Sequence, residues 1–374
     1  MIYLFKNIKN QLMIKKIKLF DPVVGIQESR SIQKILKSGF WASGSGTGNV
    51  AIFEKKFKEY INTKVCVTVN SGTAALHLAL SLFDLKNKEV ILPSLSFVST
   101  AHSIIYNGGK PVFIDVEPET LCIDPAKVEE KLSNKTRGIL PVHFGGMPAD
   151  LNKLRKITKE NECFLIEDAA HACGTNFDNK KIGSVGDLVC FSFHPVKNLA
   201  MPTGGAITIN HTDHKRMEEI LLARRWCGIT DRKNVHYDVK KLGWNYYMNE
   251  FSASIGLEQL KKLDKNNKVR RDIAKQYSEE INVEHKMPFN KNCVYHFYWI
   301  IVKNRNQFRK KMQECGIETG IHYTPIHQFS FYKSKEKIPT TDYVGKNLVT
   351  IPTHPNLTDS DIKKIIKFTN KFSC

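Results

Sequence analysis

The chain has 374 residues, enough for two to three domains at roughly 150 residues each. It is 41% hydrophobic, 25% charged and 10% aromatic, a balance that excludes a disordered or fibrous protein. Lys+Arg 56 against Asp+Glu 37 leaves a formal charge of +19, but the basic residues are scattered as short pairs with no long block, which fits a lysine-rich surface better than a nucleic-acid interface.

The N-terminus mixes Lys among its apolar residues and lacks the roughly 7–15-residue apolar core of a secretory signal. Residues 1–17 read as an extension, with Met13 as a candidate natural start. From 18 to 60, two helical patterns, SRSIQKILKSG and VAIFEKKFKEYI, flank the loop GFWASGSGTGN. That loop fails G-x-G-x-x-G, lacks G-K-[ST] and follows no strand, so it reads as a connecting loop rather than a phosphate cradle. From 65 to 210, the apolar runs VCVTVN, EVILP, PVFIDV, GILPVHF, CFLIED, LVCFSF and AITIN alternate with helices. Apolar strands alternating with helices predict an α/β domain with a mostly parallel sheet between helical layers. Two helical patterns, around HKRMEEILLARRW and NEFSASIGLEQLKKL, end this large domain at 265. Residues 266–374 read as a smaller α+β domain, with helices RRDIAKQYSEEI, FRKKMQECG and TDSDIKKIIKFTNKF and the strand-like runs YHFYWIIV and IETGIHY.

No apolar run approaches the roughly 18 residues of a membrane span. Nine cysteines without a CxxC pair argue against a zinc or redox site and for reduced thiols in a cytoplasmic protein.

Ligands of parallel sheets bind beyond the carboxyl ends of the strands. Ser71-Gly72-Thr73 lies between a strand and a helix start, where free N–H groups suit a phosphate; taken alone, it is a plain helix cap. Phe97 follows EVILP and suits ring stacking or a core role. Asp168 ends CFLIED, with His171 close behind; it suits a ring nitrogen, a metal or a helix cap. Ser192 is the second-last residue of LVCFSF, and Pro195 stops that strand before Lys197. A lysine beside apolar groups has a lowered pKa and attacks carbonyls, although one more surface lysine is the bland alternative. Asn245, in Gly243-Trp244-Asn245-Tyr246, suits an anion or a turn. Together, a phosphate site, a stacking ring, an acid and an amine nucleophile are what pyridoxal phosphate requires.

The blocks NSGTAALHLAL, PVFIDVEPETLCIDP, PVHFGG, IEDAAHACG, FSFHPVKN, GWNYYMNEFSASIGLEQLKKLD, GIETGIHYTPIH and IPTHPNLTDSDI follow in that order. In them the chain, from about residue 18 on, resembles the DegT/DnrJ/EryC1/StrS family of sugar aminotransferases, fold-type I pyridoxal-phosphate enzymes. The resemblance implies Lys197 as the Schiff-base residue, Asp168 as partner of the pyridine nitrogen, and His171 flanking the ring. It implies Gly72, Thr73 and Ser192 at the phosphate, Phe97 stacked on the ring, and His322 and Tyr323 near the substrate. Asn245 matches a residue that reaches the neighbouring subunit's cofactor, which implies a homodimer with shared sites. The implied reaction moves an amino group, with glutamate as expected donor, onto a nucleotide-linked keto-sugar, with a lean toward a 4-keto-6-deoxy sugar from the FHPVK form. The other readings are a pyridoxal-phosphate enzyme acting on an amino-cyclitol precursor, and a non-enzymatic basic regulatory or nucleic-acid-binding protein that keeps the fold.

Overall fold

The alternating apolar runs pair into one seven-stranded sheet. The computed structural model describes residues 16–332, 334 and 336–373; the expectation of an extension over residues 1–17, with Met13 as a start, lies outside them up to residue 15, while Ile17 is buried and bridges Ile317. Nine strands come first in chain order: β1 (Val65–Val69), β2 (Glu89–Pro93), β3 (Lys110–Ile114), β4 (Thr136–Ile139), β5 (Phe164–Asp168), β6 (Asn176–Phe177), β7 (Lys180–Lys181), β8 (Leu188–Ser192) and β9 (Gly205–Ile209). The sheet order is β1-β9-β8-β5-β4-β2-β3, while β6 and β7 pair separately. β9 runs antiparallel to both β1 and β8, and the other pairs of the seven-stranded sheet are parallel.

The strands read as unbroken apolar runs because both faces are covered. Along β8, Val189 and Phe191 enter one core cluster while Leu188 and Cys190 enter the other. Period-two alternation is therefore present in space and invisible in hydropathy. Helices α1 (Ile26–Ser38), α2 (Asn49–Ile61), α3 (Gly72–Leu80), α4 (Ser99–Tyr106), α5 (Pro125–Lys131), α6 (Leu151–Glu160) and α7 (His214–Arg225) belong to this part of the chain. A ribbon, β10 (Ile229–Lys233) and β11 (His236–Val239), follows α7.

The two helical patterns on either side of residue 265 are one helix, α8 (Glu250–Glu280). At 31 residues it runs about 46 Å. It packs on α1 and α2 at one end and meets the C-terminal elements at the other. Those elements are β12 (Tyr298–Ile301), α9 (Arg305–Glu314), α10 (Pro339–Asn347), β13 (Leu348–Ile351) and α11 (Asp359–Phe372), with β12 and β13 antiparallel. IETGIHY is not a strand. It makes only isolated bridges, Ile317 to Ile17 and Gly320 to Thr350. Its apolar residues are spent on packing while its backbone is shared between two unrelated segments.

The Gly/Ser-rich loop is a connector, as expected, for a reason the sequence does not show. The Glu250 carboxylate accepts hydrogen bonds from Asn49 N (2.8 Å), Asn49 Nδ2 (2.8 Å) and Val50 N (3.3 Å). A fully buried carboxylate thus occupies the anion position at the start of α2. Among the described residues, no helix is long and apolar enough to cross a membrane.

Candidate active site

The carboxyl ends of β1, β5 and β8 converge on a cavity of about 360 Å³. Ser71 caps α3 by accepting from Ala74 N at 3.1 Å. Gly72 follows, pressed against Ser192: a Cβ there would stand 2.7 Å from the Ser192 Cβ. Only glycine lets the start of α3 sit this close to the end of β8. The result is a helix N-terminus flanked by the hydroxyls of Thr73 and Ser192, all facing the cavity.

Asp168 closes β5 in register with Cys190 of β8. Its Oδ1 accepts from Ala170 N at 3.1 Å and its Oδ2 from Thr100 Oγ1 at 2.9 Å. Burial raises its pKa, against the pull of those two donors and of Lys197. Lys197 sits in the turn after β8, its N–H bonded to His194 O at 2.8 Å. Burial pushes its amine down to about 8, opposed by the Asp168 charge. Among the described residues, no carboxylate lies within ion-pair distance of that amine.

His171 lies between layers of rings, 4.6 Å from the His296 ring and 6.0 Å from Tyr323. Gly145 N donates to its Nδ1 at 3.3 Å, so Nε2 carries the proton and donates to Tyr323 Oη at 3.1 Å. Burial, reinforced by the Lys197 charge, holds the His171 pKa well below the usual range and keeps the ring neutral. Phe97 is 55% exposed and lies 5.8 Å from the Tyr323 ring. His322 donates to or accepts from Thr350 Oγ1 at 2.8 Å, and burial takes its pKa to about 3.

Nine of the ten residues singled out from the sequence line this one cavity: Gly72, Thr73, Phe97, Asp168, His171, Ser192, Lys197, His322 and Tyr323. Asn245 does not. It is exposed, bridges Trp226, and its carbonyl accepts from Asn70 Nδ2 at 3.3 Å. Sequence reasoning missed Thr100, Ser96 and His296. The hydroxyls carry a weak signal, since they flank the start of the helix after β2; His296 carries none.

The chain matches the model of the DegT/DnrJ/EryC1/StrS aminotransferase family over residues 24–369. It is 32% identical to the spore coat polysaccharide biosynthesis protein SpsC of Bacillus subtilis, over 92% of this chain and 94% of that one. It is 30% identical to the GDP-perosamine synthase of Escherichia coli O157:H7, over 96% of this chain and 99% of that one. Among solved structures, the sugar aminotransferase CalS13 from Micromonospora echinospora superposes with a TM-score of 0.88 at 28% identity, covering 95% of this chain and 99% of that one.

The family's cofactor is pyridoxal phosphate, and the cavity fits it. An amine with no ion-paired carboxylate among the described residues, a buried carboxylate held by two donors, and a helix start with no room for a Cβ meet in one cavity. Lys197 would hold the aldehyde end, Asp168 the ring nitrogen, and Gly72, Thr73 and Ser192 the phosphate.

Proposed function

We propose a reaction from one premise: the chain belongs to the DegT/DnrJ/EryC1/StrS aminotransferase family and is a pyridoxal-phosphate-dependent transaminase. The proposed substrate is a keto-sugar carried on a nucleoside diphosphate, with the 4-keto-6-deoxy class favoured, and the proposed donor is glutamate. The observation that carries this reading is the meeting of Lys197 and Asp168 in one cavity with the start of α3. A relative named GDP-perosamine synthase supports the nucleotide-linked sugar.

When bound, the cofactor supplies an aldehyde for amines and a protonated ring that accepts the electron pair released at the substrate carbon. Lys197 works as a neutral amine, and burial, which brings its pKa down to about 8, gives it a larger neutral fraction near physiological pH than an exposed lysine has. Its Nζ takes the proton from the donor's α-carbon and returns it, base and then acid. Asp168 accepts a hydrogen bond from the ring nitrogen and keeps the proton there. The N–H groups of Gly72 and Thr73, with the Thr73 and Ser192 hydroxyls, fix the phosphate. Tyr323, accepting from His171, keeps its own hydrogen for a substrate oxygen. The amino group passes from glutamate to the sugar carbonyl, and 2-oxoglutarate leaves.

Asn245, exposed and outside the cavity, is proposed to complete the site of a second copy, which makes the active unit a homodimer. Mixing inactive Lys197→Ala and Asn245→Ala chains tests this: shared sites restore part of the activity, and separate sites restore none. Borohydride reduction and peptide mapping test the core assignment. Cofactor fixed on any lysine other than Lys197 overturns it. Amino transfer to a panel of nucleotide keto-sugars from protein loaded with the aminated cofactor identifies the substrate; no turnover on any of them returns the choice to another carbonyl compound.

A further inference from the structure

Asp168 has a supporting relay that comes from a different element. We propose that Thr100, with Ser96 behind it, is the positioning residue that orients Asp168 toward the cofactor's ring nitrogen. This rests on the reading of Asp168 given above.

Thr100 stands in the first turn of α4, fully buried, and its Oγ1 is 2.9 Å from Asp168 Oδ2. A threonine has one hydroxyl hydrogen. The Phe97 carbonyl at 3.0 Å competes for it. The charge on Asp168 settles the competition. The hydroxyl of Ser96, a residue 3% exposed, lies 2.7 Å from Thr100 Oγ1 and, as donor, fills the acceptor side of that oxygen. Ser96 donates to Thr100, and Thr100 donates to Asp168, a charged acceptor stronger than a carbonyl. With Ala170 N on Oδ1, both carboxylate oxygens are held and the plane of the group is set.

The other groups facing Asp168 cannot supply this. Lys197 is a cation whose proton moves during the reaction. His143 donates from Nε2 to Glu167 at 3.0 Å and accepts from Ala149 N at Nδ1. His171 is engaged by Gly145 and Tyr323. The Cys190 thiol and the Tyr323 phenol are kept protonated by burial, and neither hydrogen-bonds the carboxylate. Thr100 and Ala170 are the donors that stay in place throughout.

The test loads the wild type and the Thr100→Val, Thr100→Ser and Ser96→Ala variants with pyridoxal phosphate labelled with ¹⁵N in the ring. The readouts are the ring-nitrogen resonance and the cofactor dissociation constant. The relay predicts a protonated ring in the wild type. In Thr100→Val, which keeps the shape and loses the hydroxyl, the resonance moves toward the unprotonated position and cofactor binding weakens about tenfold or more. Thr100→Ser restores the wild-type signal, and Ser96→Ala gives an intermediate shift. A wild-type resonance in Thr100→Val overturns the proposal. If that variant does not fold, Ser96→Ala decides, and an unchanged resonance there overturns it equally. An unprotonated ring in the wild type instead removes the role of Asp168 itself.

Discussion

Replacing Lys197 by methionine should stabilise the cofactor-free protein at neutral pH. The amine is held at about 8 against an ordinary 10.5, first by burial. Below pH 8 it is charged in the folded and the unfolded chain alike, and the whole cost of burying that charge is present. It amounts to about 3 kcal/mol. Between 8 and 10.5 the unfolded chain still binds a proton that the folded chain has released, so stability rises with pH. Above 10.5 the cost is gone. Two effects reduce the gain from substitution. The side chain faces a cavity that admits solvent, and Asp168, already raised by burial, loses a favourable cation. A net gain of about 1–3 kcal/mol remains, a rise of a few degrees in Tm. Thermal unfolding of cofactor-free wild type and Lys197→Met at pH 7 and pH 10 measures it. The variant should lead at pH 7 and lose most of its lead at pH 10. The double variant Lys197→Met/Asp168→Asn should gain at least as much, because it also removes the stranded acid. Equal stability at pH 7, or a difference that ignores pH, refutes the argument.

Gly72→Ala forces a Cβ to within 2.7 Å of Ser192 and 3.3 Å of its Cα; it should cost about 1–3 kcal/mol and weaken cofactor binding, read by calorimetry and equilibrium dialysis. Unchanged affinity would show that α3 is not the phosphate site. Asp168→Asn keeps the size and removes the charge, so turnover should fall about a hundredfold or more while the fold, followed by circular dichroism, persists. Glu250→Ala leaves three donors at the start of α2 without their acceptor and should cost about 3 kcal/mol in thermal unfolding. The spectrum of bound cofactor should not change, since Glu250 does not line the cavity.

Much of the site was legible because each piece is local. A strand, a Ser-Gly-Thr turn and a helix announce an N-terminal anion site around Gly72. An acid ending an apolar run places Asp168 at a carboxyl edge, and a proline just before Lys197 marks a turn. The seven strands were legible for the same reason: a few apolar residues between turn signals are enough, and the parallel sheet follows from the helices between them. The family resemblance joined these pieces and assigned their roles.

Other features depend on residues far apart in the chain, and no local pattern encodes them. Thr100 reaches Asp168 across 68 residues, and Glu250 reaches Asn49 across 201. The long α8 looked like two helices because its buried face changes partner midway. The segment 317–323 has strand-like composition but finds no continuous partner strand. Local composition and periodicity settled the seven strands of the main sheet, the chemical types at their ends and the cofactor those types require. Which hydroxyl holds the acid, which carboxylate fills a helix start and how far the lysine's proton affinity falls were settled only by packing, because hydrogen bonds and burial depend on distance in space, not along the chain.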